Sequence, residues 1–377
     1  MENPTTNINV PITGKQSSAA QVRPPIRFFT PSDLDAVCAM AKELFPVNYE
    51  TDPDELKELL RRLYLENPIN VNGISSLVYE GPKGSIDGFL GVIKRPMLWN
   101  GKRIIAALSN HLMLKNSERS TLASVALIKA MMQGEHDFCF TDSSSDTSRF
   151  LWERCGGSTA WAYSMHYRHM VKPFSFVRNR ITNKSLMAAY YPVRKAGDFI
   201  ANHTPGSPFN FKEPAGKIEE IHTGELLILM DEMYKSVSVK PVYTIETLNW
   251  LLETMQIEQR KGEYKLIKII NRRGTTAGWV FYHQKLNGMC QIIQFEAKNG
   301  MQDFVFQALC YHAFKGGGVE LEGRLDPRYF KRFGNKSTIF VPGRLWTLIH
   351  SKNQELMLDL QTGKAALSKL EGDMWLV

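Results

Sequence analysis

Residues 99–132 read WNGKRIIAALSNHLMLKNSERSTLASVALIKAMM. The pair Asn100-Gly101 is a strong two-residue hairpin signal. Arg103 to Leu114 is an extended, mostly apolar run, Lys115 to Ser120 a polar loop, and Thr121 to Met132 a helix with Leu122, Val125, Ala126 and Met132 on its apolar side. A strand entered by a hairpin and left through a polar loop into a helix is the unit around which the chain is arranged.

Working outward, Ser76 to Glu80 and Ile86 to Arg95 read as two strands before the hairpin, making a three-stranded antiparallel meander. Two helices precede it, LDAVCAMAKELF behind the start signal Thr30-Pro31-Ser32-Asp33, and Asp52 to Leu65 with Leu56, Leu59, Leu60 and Leu63 in register. Downstream come a strand at Asp137 to Thr141, a short helix from Thr147 to Cys155, the break Gly156-Gly157 and a strand pair up to Met170. The same order recurs later: helices at 225–236 and 244–259, strands at 264–270, 276–285 and 289–296 with Asn287-Gly288 at the turn, helix 301–314, strand 319–324 and short helix 327–333. The expected fold is α/β (α+β), two domains of like architecture, each a mixed, mainly antiparallel sheet flanked by helices. A polar leader occupies 1–24, the domains 25–170 and 216–377, and a proline-interrupted connector 171–215, part of which, SLMAAYYPVRKAGDFIANH, suits one helix.

Length and composition agree. At 377 residues the chain has room for two cores, and 43% hydrophobic with 22% charged residues excludes fibrous and wholly disordered classes. The formal charge of +8 is small and spread over the chain, which argues against DNA and suits anionic small ligands. Five widely spaced cysteines form no ligand cluster, so no metal site is expected and the thiols read as reduced core residues of a cytoplasmic protein. No apolar run is long enough to span a membrane. Composition leaves the oligomeric state open.

The element order resembles the GNAT acyltransferase superfamily, here in tandem over 25–170 and 216–377. The resemblance implies a sheet splayed between its fourth and fifth strands, with the pantetheine of acetyl-CoA or another acyl-CoA in the opening and its pyrophosphate on the following helix N-terminus, where unpaired N–H groups and the helix dipole favour anions. On this sequence that places Met113 and Leu114 along pantetheine, and Lys115, Arg119, Ser120, Thr121, Leu122 and Ala123 at the phosphates. The family's loop carries glycine where this chain has Leu122, and its short helix carries a tyrosine acid where this chain has Trp152, whose indole N–H cannot protonate a thiolate near neutral pH; Tyr163 and Tyr167 are the alternatives. For deprotonating an amine acceptor, the resemblance implies His111 on the fourth strand and Asp142 after the fifth, with Glu296 in the matching place of the second half. The expected activity is acyl, most simply acetyl, transfer from acyl-CoA to a small-molecule amine. A non-catalytic binding protein on the same scaffold, or a transferase using an acyl-carrier protein or aminoacyl-tRNA as donor, are the alternatives.

Overall fold

The computed structural model describes residues 26–45, 53–81, 84–115, 120–256, 262–329, 338–342 and 345–373. The expected leader and Arg119 lie outside them. The first half runs β1 (Ile26–Phe28), α1 (Leu34–Leu44), α2 (Pro53–Tyr64), β2 (Leu77–Glu80), β3 (Ile86–Trp99), β4 (Lys102–Leu114), α3 (Ser120–Met132), β5 (Phe138–Ser144), α4 (Asp146–Arg154), β6 (Ser158–Thr159) and β7 (Met165–Met170). Two helices follow, α5 (Pro173–Arg178) and α6 (Lys184–His203), the latter covering the segment the sequence marks as one helix. The second half runs β8 (Gly216–Glu220), α7 (Thr223–Met233), β9 (Val239–Pro241), α8 (Ile245–Gln256), β10 (Glu263–Asn271), β11 (Thr276–Gln284), β12 (Met289–Ala297), α9 (Gln302–Lys315), β13 (Glu320–Arg324), β14 (Thr338–Pro342), β15 (Trp346–His350) and α10 (Gln354–Gln361). Asn100 and Gly101 both take positive φ (50° and 83°), the backbone of a tight hairpin whose twist matches its strands.

The strands form two mixed, mainly antiparallel sheets. The first is ordered β1-β2-β3-β4-β5-β15-β6, with β9 on β3, and the second β14-β7-β13-β12-β11-β10-β8. Each sheet therefore takes a strand from the other half of the sequence. β7 lies between β13 and β14, pairing Tyr167 with Gly323 and Phe340, while β15 lies between β5 and β6. Proximity in sequence favours pairing β7 with its own half. Its adjacent residues His166 and Tyr167 are instead both buried, one on each face of the strand, as a central position in the second sheet demands.

The largest core is shared. Tyr64, Phe89 and Met97 of the first half and Trp279, Phe281 and Ile293 of the second belong to one buried cluster. Separate clusters lie under α3 with Leu127, Met131 and Trp152, and under α9 with Val305, Leu309 and Cys310. Cys139, Cys290 and Cys310 are buried, Cys38 and Cys155 half-buried, and all five thiols are free.

Candidate active site

In each half one parallel strand pair bonds briefly and then parts. β4 and β5 are in register from Ala106–Phe138 to Leu108–Phe140, and β12 and β13 from Met289–Glu320 to Gln291–Glu322. Beyond those pairs each opening is bordered by a bulge in its central strand. On β12 the extra residue is Ile293, since Phe281 pairs with Gln294 and Tyr282 with Ile292. On β4, Asn110 faces Gly91 and Met113 faces Phe89, so His111 and Leu112 together oppose Leu90. A bulge adds a residue and reverses which face later side chains occupy. His111 absorbs the change with φ of 45°, a left-handed backbone that a non-glycine residue takes at a cost.

The bulge turns His111 toward α2. Its Nδ1 meets the hydroxyl of Tyr64, which in turn donates to Asn110 Oδ1 at 2.7 Å. Because the tyrosine proton goes to Asn110, His111 Nδ1 must be the donor to Tyr64, and the ring's acceptor is then Nε2. Burial pushes the imidazole down to about 4, so it is neutral over the ordinary pH range. Gly91 makes the arrangement possible: a Cβ there would stand 2.2 Å from Asn110 Oδ1 and 2.5 Å from the Tyr64 hydroxyl. Tyr64, Asn110 and Gly91 were not singled out by sequence; the signal was the polar pair Asn110-His111 inside RIIAALSNHLML and a glycine facing it across the hairpin.

A small cleft of about 60 Å³ occupies this first opening, bordered by Asn110, His111 and Leu112 on β4, by Thr141 and Ser144 on β5, and by Ser148 on α4. Asn110 is buried, and among the described residues its Nδ2 has no hydrogen-bond partner. A buried donor of that kind fits a ligand carbonyl in the cleft, because leaving it unsatisfied is costly. Trp152 closes the far wall, its indole N–H donating to Ile349 O at 3.3 Å.

The other expected residues are distributed as follows. Met113 is buried in the shared core and Leu114 is half-buried at the strand end. Lys115 pairs with Asp87 at 3.3 Å. Ser120, Thr121 and Leu122 form the first turn of α3, with Leu122 in solvent and Ala123 in the core, while Ser124 donates to Ser120 O at 2.8 Å. Asp142 is fully buried, held by Arg324 of β13 at 2.7 Å and by the backbone N–H of Asp373 at 2.7 Å. Burial and the adjacent Asp142 push the Asp373 carboxyl well above the usual carboxylate range. Tyr163 and Tyr167 are core residues, the former bonded to Ala365 O at 2.9 Å.

Glu296 lies in the other sheet, apart from His111. It accepts hydrogen bonds from Tyr329 at 2.8 Å, Tyr234 at 3.1 Å and Arg328 at 2.7 Å. Burial raises its carboxyl even though the Arg328 guanidinium opposes the shift. The second opening differs from the first in what faces it. Leu367, Ser368 and Lys369 border it from the C-terminal segment, with Lys369 bonded to Glu322 at 3.2 Å and Arg324 donating to Leu367 O. Among the described residues, no group of three His, Cys, Asp or Glu is placed to hold a metal.

No protein-family model and no curated protein matches the sequence. Solved structures do match the fold. A GCN5-related N-acetyltransferase from Anabaena variabilis superposes with a TM-score of 0.58 at 10% identity, over 87% of this chain and 73% of that one. Another from Kribbella flavida gives 0.52 at 10% identity, over 86% and 71%. The chain has the GNAT fold, with two mainly antiparallel sheets flanked by helices.

Proposed function

Starting from a GNAT fold with an opening that its own chain leaves accessible, we propose that the protein is an acyl-CoA-dependent N-acyltransferase whose first half binds the donor and whose acceptor is an amine. The observation that carries the reading is the β4 bulge, which sets His111 and the buried Asn110 Nδ2 on one edge of the β4/β5 cleft. In this reading His111 Nε2 takes the proton released as the amine nitrogen bonds to the thioester carbon, and the C–S bond breaks to give CoA thiolate. Asn110 Nδ2 donates to the carbonyl oxygen as it gains negative charge. Tyr64 holds the imidazole tautomer. The first turn of α3 is the anion-binding end, with Ser120 and Thr121 supplying N–H groups and Arg119 charge. The acyl group is most simply acetyl. The second opening, faced by residues 367–369, is left with a structural role.

Isothermal titration of the full chain with CoA and acetyl-CoA tests the reading. Binding is expected, with affinity reduced by Arg119→Glu. A folded protein that takes up neither ligand at millimolar concentration overturns it.

A further inference from the structure

The helix α6 is held to the molecule on one side only. Among its described side chains the two buried ones are polar: Asp198 accepts from the backbone N–H of Phe174 at 2.8 Å and from Ser175, capping α5, and Asn202 Nδ2 donates to Phe209 O at 2.7 Å. Gly197 brings the Phe174 ring against the helix, where a Cβ would stand 2.6 Å from it. The outward side is the apolar one. Leu186, Ala189, Val193, Ala196 and Ile200 recur at alternating three- and four-residue steps, the spacing of one continuous helix face, and all are exposed. Leu186 is 57% exposed, Val193 51% and Ile200 63%, with Phe199 beside them at 63%. An amphipathic helix normally buries that stripe, so this one is inverted.

Charge distinguishes the possible covers. Residues 171–203 contain six cations (Lys172, Arg178, Arg180, Lys184, Arg194, Lys195) and one acid, Asp198, a net +5 out of the chain's +8. The one acid is buried in the α5 cap and Arg180 is paired with Glu320 at 3.0 Å, so the exposed surface of the hairpin carries cations and no carboxylate. A second copy of the same face would bring like charges together, whereas an anionic surface complements both the stripe and its flanks. The helix is too polar to cross a membrane, and its 20 residues give a rod about 30 Å long able to lie in the plane of one.

We propose that α6 is an interfacial anchor that docks the protein on anionic lipid, its Leu186–Val193–Ile200 stripe entering the acyl boundary while Arg178, Arg194 and Lys195 meet the headgroups. Tyr191 supports the geometry, because the Arg194 and Lys195 side chains lie over its ring at 5.0 and 5.3 Å, gathering cations beside an amphipathic aromatic. The anchor is independent of the acyl-transfer reading.

Co-sedimentation of the full chain tests it, using phosphatidylcholine vesicles with and without roughly one-third phosphatidylglycerol. Binding is expected only with the anionic lipid, weakening at about 0.5 M salt. Leu186→Asp/Val193→Asp/Ile200→Asp and, separately, Arg194→Glu/Lys195→Glu should each lower the partition coefficient about tenfold or more, with unchanged circular dichroism since these side chains lie outside the core. Three results overturn the proposal: no sedimentation with either vesicle; binding equal for neutral and anionic vesicles and unmoved by the charge reversal; or concentration-dependent dimers in sedimentation velocity that the triple substitution abolishes, which would assign the stripe to a second copy.

Discussion

His111 takes a left-handed backbone that aspartate, asparagine and histidine tolerate better than branched residues, and it does so inside a strand, where nothing about a turn requires it. Such strain persists only where neighbours enforce it, and here Tyr64 and Asn110 do. Its protonation follows from the same burial. A histidine held down at about 4 is in its base form throughout the neutral range and loses that form only as pH falls through about 4. The kcat/KM profile for acyl transfer should therefore lack the limb near 6.5 expected of an ordinary histidine, and fall only in acid. His111→Asn should lower kcat by about 100-fold, the scale of general-base loss, with the affinity for CoA nearly unchanged. Tyr64→Phe, which removes only the tautomer's partner, should cost less. A limb near 6.5 abolished by His111→Asn would contradict the buried, neutral imidazole.

At the scale of elements, the bulge depends on a residue in the neighbouring strand. Gly91→Ala places a methyl within 2.5 Å of both Tyr64 and Asn110, so one of them must leave its position. Overpacking of that kind costs about 1–3 kcal/mol, read as a lower urea midpoint, and acyl transfer should fall with it. If the midpoint drops while activity stays intact, the Tyr64–Asn110–His111 set is structural. The elements themselves were legible in the sequence because their signals are local: leucines at helical spacing in α2, Asn100-Gly101 before β4, polar residues between β4 and α3. His111 stood out as a titratable group in an apolar strand. Its partners did not, because Tyr64 lies at the end of a helix 46 residues before Asn110, and no periodicity ties a helix end to a bulge. Asp142 was read as a site residue from its place just after the expected strand 137–141, yet it lies within β5 and its side chain meets Arg324 from a strand 182 residues away. The cationic segment 171–203 did not stand out because a net +8 over 377 residues hides a local excess of +5.

The whole molecule is joined by exchange. Since β7 completes the second sheet and β15 the first, neither half closes its sheet without the other. The C-terminal segment adds two buried polar ties, Lys369 to Glu322 and Arg95 to the carbonyl of Glu371, beside those that β13 makes itself, Glu322 to His166 at 2.7 Å and Arg324 to Asp142. Burial alone would raise the Glu322 carboxyl, but Lys369 and His166 outweigh it and bring it down to about 2. A depressed carboxylate stabilises the fold above its unfolded value and loses that contribution as pH falls toward 2. Lys369→Met leaves Glu322 buried without its main counter-charge, a change worth about 3–5 kcal/mol. Because the sheets share strands and a core, that loss should not be confined to the second half. Urea unfolding followed by hydrogen exchange should give one midpoint for amides of β3 and β4 and of β11 and β12, and Lys369→Met should lower both together while shrinking the loss of stability between pH 4 and 2. Two separated midpoints, with only the second-half amides moved by the substitution, would mean that the halves are independent domains and that the exchanged strands are not what couples them.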